Sequence, residues 1–267
     1  MGTIAVVGAG AWGTALACHA AKLGHSVEMW ALEPEVVEEI NAEHTNSIYL
    51  KEQHLPESLR ASSDAAEVVS GAELVLLVPP SKYLRSVSQM VANAIPKTAV
   101  VAVASKGIEE GTLQLMSEVL AETMPDLGPE RLSFLSGPSF AKEVAGGLPT
   151  DVAVASAGMT AANTVQQMLH SPMFRVYTSP DPNGVQVGGA IKNVMAVATG
   201  VCDGLGFGTN ARASLITRGL AEITRLGIAL GANPLTFLGL AGVGDLVPVS
   251  YTHLTLPTTI KPCGSRG

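Results

Sequence analysis

A chain of 267 residues, 47% hydrophobic yet only 4% aromatic, can build one large aliphatic core, or two domains of ~100–200 residues each. Its formal net charge of −7 argues against a nucleic-acid partner, which would want a basic patch. The three cysteines, Cys18, Cys202 and Cys263, are odd in number and far apart; they form neither a metal pattern nor a disulfide framework and fit a reducing, cytoplasmic compartment.

No apolar run reaches the ~18 residues of a spanning helix, so no integral membrane segment is expected. The first strand begins at once, leaving no room for a signal peptide. His19, His25, His44, His54, His170 and His253 are scattered without an H-E-x-x-H spacing, so no metal is expected.

In chain order, the apolar run from Thr3 to Val7 reads as a buried parallel strand, and Ala11 to Leu23 as a helix. Between them stands Gly8-Ala9-Gly10-Ala11-Trp12-Gly13, a G-x-G-x-x-G in the strand–turn–helix setting that binds a dinucleotide. Gly8 allows the tight turn, Gly10 lets the backbone approach a pyrophosphate, and Gly13 lets the helix pack on the strand. The free N–H groups at the helix start favour an anion. Ser26–Trp30 reads as the second strand. Just past it, an acidic residue binds the ribose diol of NAD, whereas an Arg accepts the 2′-phosphate of NADP. Glu33 stands there with no Arg or Lys beside it, and either meets the ribose or caps the helix from Pro34 to Asn41.

A short strand near Leu59–Ala61, a helix from Asp64 to Ser70 and the strand Glu73–Val78 follow. That strand ends at Pro79-Pro80, where no helix can continue and a ligand-facing loop begins. A helix from Tyr83 to Ala94 leads to the strand Thr98–Val103, then Ser105-Lys106-Gly107. Lys106 at a strand's carboxyl end either faces the crevice or is an ordinary solvated loop lysine. Leu113–Thr123 reads as helix and Leu132–Leu135 as strand, with Ser136-Gly137-Pro138-Ser139-Phe140-Ala141-Lys142-Glu143 as a turn entering a helix. Its N–H groups repeat the logic of the first turn. Strand 151–156, helix 160–170 and strand 174–178 close the alternation. Long Val/Ala/Leu strands separated by helices predict an α/β, doubly wound, mostly parallel sheet over residues 1–179.

Beyond Ser179-Pro180-Asp181-Pro182 everything reads as helix, giving a second, all-helical region over 180–247. One helix spans 183–201, interrupted at Gly188-Gly189; a glycine-rich link runs 202–210; a second helix spans 211–230; a short helical turn covers 235–240. Lys192 lies among Val187, Ile191, Val194 and Met195. A lysine in apolar surroundings loses solvation of its charged form, which lowers its pKa and suits it to general acid/base work; the alternative is a lysine snorkelling from a buried helix. Asp245, in a mostly apolar stretch, needs a partner, and Lys192 is the natural one. Asn193 would orient a hydroxyl or carboxamide.

These residues stand in one order. The first turn, Ser105-Lys106-Gly107, the Ser136–Glu143 turn, the stretch from Gly184 to Asn193, that from Asp203 to Arg212 running on to Thr217–Leu220, and Gly242-Val243-Gly244-Asp245-Leu246 together resemble NAD(P)-dependent glycerol-3-phosphate dehydrogenase of the bacterial type, from Thr3 to about Val247. The resemblance implies a Rossmann-type sheet with a helical second domain. It implies interconversion of sn-glycerol 3-phosphate and dihydroxyacetone phosphate, feeding glycerophospholipid synthesis, and it allows a homodimer. Lys192 matches the family's general acid/base. Lys106, Gly137, Ser139, Asn193 and Asp245 match the substrate side. Gly8, Gly10, Ala11, Trp12, Gly13, Glu33, Pro79, Lys106 and Ala141 match the NAD or NADP side.

Two departures follow. Leu32 stands where the family often has Arg or His, which turns the expectation toward NAD. After Val247 the expected phosphate-binding Ser/Arg/Asn segment is absent, and residues 248–267 form a Thr/Pro-rich tail without helical period, resembling out-of-frame read-through. Impaired or absent activity is therefore expected of this chain. Two rivals stand beside this reading: another dehydrogenase of the same architecture acting on a hydroxy acid or sugar acid, and a non-catalytic dinucleotide-binding module.

Overall fold

The computed structural model describes residues 1–251. Eight strands form one sheet: β1 (Thr3–Val7), β2 (Ser26–Trp30), β3 (Arg60–Ser62), β4 (Leu74–Leu77), β5 (Val100–Val103), β6 (Leu132–Ser136), β7 (Thr150–Ala155) and β8 (Phe174–Ser179). Their spatial order is β3-β2-β1-β4-β5-β6-β7-β8. Every pairing is parallel except β6 with β7. This is the expected doubly wound sheet. The chain leaves β1 in one direction through β2 and β3, then returns to the other side at β4. Ligands bind such sheets outside the carboxyl ends at that reversal.

Helices cover both faces, so the strands are apolar on both. Ile4 and Val6 of β1 pack with α1 (Ala11–Lys22), α2 (Pro34–Glu43), a short α6 (Ala141–Ala145) and α7 (Met159–Leu169). Ala5 and Val7 face the other way, onto α3 (Ala65–Ser70), α4 (Leu84–Val91) and α5 (Met116–Thr123). The sheet gives way to helices after Ser179. α8 (Pro182–Gly204) starts on Asp181, whose side chain accepts the Gly184 N–H at 3.0 Å. α9 (Gly208–Ala229) packs antiparallel along it, and a 3₁₀ turn (Pro234–Leu238), a π turn (Leu240–Gly244) and α10 (Asp245–Tyr251) follow. A third core of Val187, Met195, Ile223, Phe237 and Leu246 joins these helices.

Three expectations are corrected. α8 is not interrupted at Gly188-Gly189, because the intrahelical hydrogen bonds need no Cβ and the bare face is where other segments approach. The glycine-rich link shrinks to residues 205–207, since α8 runs on to Gly204 and α9 begins at Gly208. Residues 248–251, expected to lack helical period, close α10, with Pro248 near enough to its start to forgo a donor. The rest of the expected tail, 252–267, lies outside the described residues.

α8 is long and apolar enough to cross a membrane by length and composition, but half of that window is buried in protein, and it carries a lysine in an ion pair.

Candidate active site

The turn after β1 has the geometry its glycines require. Gly8 has φ +121°, and a Cβ there would press on the backbone of Val78 and Pro79 at 3.0–3.1 Å. A Cβ on Gly13 would land on the carbonyl oxygen of Gly8, so only glycine lets α1 sit this close to β1. Gly10 is the N-cap of α1 without a side-chain cap, no acidic residue occupies the first turn, and a Cβ on Gly10 would meet open space. The first-turn N–H groups are thus left for an external anion. Ala11 and Trp12 form that first turn; Trp12 packs on the core, and its Nε1 is buried without a hydrogen-bond partner among the described residues. This cradle fits a dinucleotide pyrophosphate.

Glu33 is the N-cap of α2 by position, but its side chain makes no cap bond. It instead accepts the Tyr49 hydroxyl at 2.8 Å. The capping alternative is therefore corrected: the carboxylate is drawn sideways, past the end of β2. Pro79 is buried directly after β4, and its carbonyl accepts the Ser105 hydroxyl, tying the β4 and β5 ends together.

A buried carboxylate stands between two lysines. Asp245 is 2% exposed. Its Oδ1 accepts Lys192 Nζ at 2.6 Å and its Oδ2 accepts Lys106 Nζ at 2.8 Å. Lys106 also donates to the Gly137 carbonyl at 2.9 Å and reaches Ser139 Oγ at 3.5 Å, while Ser139 Oγ donates to the same carbonyl at 2.9 Å. Burial drives the Lys106 ammonium down to about 8; Asp245 opposes the shift and Lys192 adds to it. The expected single partner for Asp245 is thus corrected to two, and Lys106 is no solvated loop lysine, its side chain being 17% exposed.

Glycines bring these pieces together. A Cβ on Gly188 would collide with the Ala241 carbonyl, and one on Gly189 would lie 2.6 Å from Ser136 Oγ and 3.4 Å from Lys106 Cγ. Gly137, at φ +131°, would press a Cβ on Val152 Cα at 3.1 Å. A small pocket opens here, lined by Ser105, Lys106, Ser136, Gln186 and Gly189 among others. Ser136 Oγ is buried on it without a hydrogen-bond partner among the described residues.

The family descriptions "NAD-dependent glycerol-3-phosphate dehydrogenase N-terminus" and "C-terminus" match residues 3–162 and 181–255. The chain belongs to this family. It is 53% identical to the glycerol-3-phosphate dehydrogenase [NAD(P)+] of Trichlorobacter lovleyi, across 96% of this chain and 77% of that one. The corresponding protein of Syntrophotalea carbinolica is 50% identical across 91% and 73%. The crystal structure of glycerol-3-phosphate dehydrogenase from Coxiella burnetii superposes with a TM-score of 0.86 at 41% identity, covering 92% of this chain and 74% of that one. The second match begins at the N-cap of α8 and reaches beyond the described residues.

Of the residues picked out from the sequence, Lys106, Gly137, Ser139, Lys192 and Asp245 converge. Gly8, Gly10, Ala11, Trp12, Gly13, Glu33 and Pro79 lie at the carboxyl ends of β1, β2 and β4, and Ala141 opens α6, half-buried against the same core as α1. Asn193 and Val194 are the exceptions. Both are exposed, one and two residues round α8 from Lys192, so the apolar surroundings of Lys192 come from Val187, Ile191 and Met195 alone. Sequence reasoning missed Thr14, Asn46, Tyr49 and the orphan hydroxyl of Ser136. Ser136 opens a turn already singled out but is given no role of its own there, and Asn46 and Tyr49 sit in an irregular polar stretch.

Proposed function

We propose that this NAD(P)-dependent glycerol-3-phosphate dehydrogenase moves the proton of the substrate C2 hydroxyl through Lys192, with Asp245 and Lys106 setting its position. The observation that carries the reading is the carboxylate of Asp245 held by both ammonium groups. When bound, the nicotinamide supplies the acceptor or donor of a hydride at C2. In reduction the Lys192 ammonium gives a proton to the nascent alkoxide oxygen and is left as the neutral amine; in oxidation that neutral amine takes the hydroxyl proton and becomes the ammonium paired with Asp245. Asp245 keeps Lys192 and Lys106 on one side of the reacting carbon. Lys106, with Ser139 and the Gly137 backbone, offsets negative charge on the substrate. The division into residues 1–179 for the dinucleotide and 180–247 for the substrate side is supported by the change from sheet to helix after Ser179, although Lys106 crosses it.

Gly8, Gly10, Ala11, Trp12 and Gly13 would hold the pyrophosphate, with Pro79, Lys106 and Ala141 along the crevice. Glu33 supports NAD over NADP, because its carboxylate would accept a ribose hydroxyl and repel a 2′-phosphate, and Leu32 beside it is 72% exposed and carries no charge.

The test pairs turnover with equilibrium binding on the parent chain and on Lys192→Ala. The variant is expected to lose a factor of about 10²–10⁴ from the kcat that the parent, itself expected to be impaired, shows with dihydroxyacetone phosphate and NADH, while NADH Kd stays within about twofold. Unchanged kcat overturns the role of Lys192. NADPH binding the parent as tightly as NADH overturns the cofactor preference. Turnover of 2-hydroxy acids in place of the phosphorylated substrate would favour the rival dehydrogenase.

A further inference from the structure

We infer that Asn46, with Thr14, is a positioning residue for the dinucleotide turn; the inference rests on the cofactor site proposed above. Asn46 lies in the irregular segment after α2 and is completely buried. Its Nδ2 donates to the Ala9 carbonyl at 3.0 Å and to Thr14 Oγ1 at 2.8 Å. Thr14 Oγ1 in turn donates to the same Ala9 carbonyl at 3.1 Å. That carbonyl therefore accepts two side-chain hydrogen bonds, both from inside the molecule.

The consequence follows from the planarity of the peptide unit. In a trans peptide the C=O and the next residue's N–H point in opposite directions. Drawing the Ala9 carbonyl inward turns the Gly10 N–H outward, on the residue whose missing side chain leaves open space. Gly10 is also the N-cap of α1, so this N–H joins the row of first-turn donors that favours an anion. A flipped Ala9–Gly10 peptide would instead present a carbonyl oxygen to the pyrophosphate and repel it. Asn46 and Thr14 prevent the flip.

The same segment reaches the other end of the cofactor. Asn46 Oδ1 accepts the Tyr49 N–H at 3.3 Å, and the Tyr49 hydroxyl donates to Glu33 at 2.8 Å. One short stretch thus orients a pyrophosphate donor and a ribose acceptor together. Asn41 serves as a comparison. It makes the same kind of paired hydrogen bonds, at 2.8 and 2.9 Å, but to Ala61 on β3 and away from the turn.

The experiment measures NADH Kd by calorimetry and Tm by melting for the parent, Asn46→Ala, Thr14→Val and Asn41→Ala. Asn46→Ala is expected to weaken NADH about tenfold and Thr14→Val by about threefold to tenfold, with kcat at saturating NADH near the parent value. Asn41→Ala is expected to lower Tm yet keep NADH Kd within about twofold. Thr14→Val keeps the side-chain shape, so it decides the matter where Asn46→Ala does not fold. Folded Asn46→Ala or Thr14→Val binding NADH as the parent does would overturn the assignment. Loss of fold in both would overturn it too, by making the pair structural. A parent that binds neither NADH nor NADPH would remove the cofactor reading and this inference with it.

Discussion

Asp245 shows how much one residue depends on its surroundings. A carboxylate that is 2% exposed is costly unless paired and hydrogen-bonded, and two ammonium groups meet it here. The arrangement leaves Lys106 with a fold-dependent charge. Its pKa is about 8 in the folded chain against an ordinary 10.5. Between those values the unfolded chain keeps a proton that the folded chain has released, so this group makes stability rise with pH across the window. Below pH 8 the full cost of burying the charge is present. Asp245 and Lys192 both face the group, the first opposing the shift and the second adding to it. Urea melts at pH 8 and pH 10.5 are therefore expected to show the parent gaining stability relative to Lys106→Met as pH rises; a pH-independent difference between the two would refute it.

At the scale of the elements, the paired glycines of α8 bring helix, sheet and π turn together. Replacing a helix glycine by Ala ordinarily gains about 1 kcal/mol. At Gly188 the new Cβ would overlap the Ala241 carbonyl, and overpacking costs typically 1–3 kcal/mol, so the clash wins. Gly188→Ala is expected to lower Tm and kcat together, because Asp245 follows the displaced turn. Gly204→Ala, where a Cβ meets nothing within 4 Å, is expected to hold or raise Tm. Equal Tm changes in the two variants would count against the packing account. The sequence made these elements legible: the G-x-G-x-x-G, the apolar runs of β1 and β4, and the proline start of α2 all depend on neighbours in the chain. It misjudged α8, because a glycine pair looks like a break when the segment packed on it is unknown.

For the molecule as a whole, the Phe237 core is distinct from the two that flank the sheet, although Val185 of α8 and Ala241 of the π turn pack into the second of those. The dinucleotide turn rests on the sheet and its helices, whereas α8, α9 and the Asp245 turn share the core around Phe237. Phe237 is fully buried, and large-to-small changes of such rings cost about 3–5 kcal/mol. Phe237→Ala is expected to lower Tm and kcat while NADH Kd stays within about twofold. Calorimetry showing NADH binding lost in step with kcat would indicate one indivisible core instead.

The sequence by itself determined the winding of the sheet and the strand–glycine turn–helix at Gly8 to Gly13, since strand sterics, glycine conformations and helix periodicity are rules about near neighbours. Only the tertiary structure decided that Asp245, expected to pair with Lys192 53 residues before it, also holds Lys106, 139 residues before it. It also decided that Asn46 reaches back 37 residues to Ala9. Those meetings depend on how helices settle on a sheet. No local preference encodes them, because the same side chains in the same order would stay solvated without the close approaches that Gly13, Gly188 and Gly189 permit.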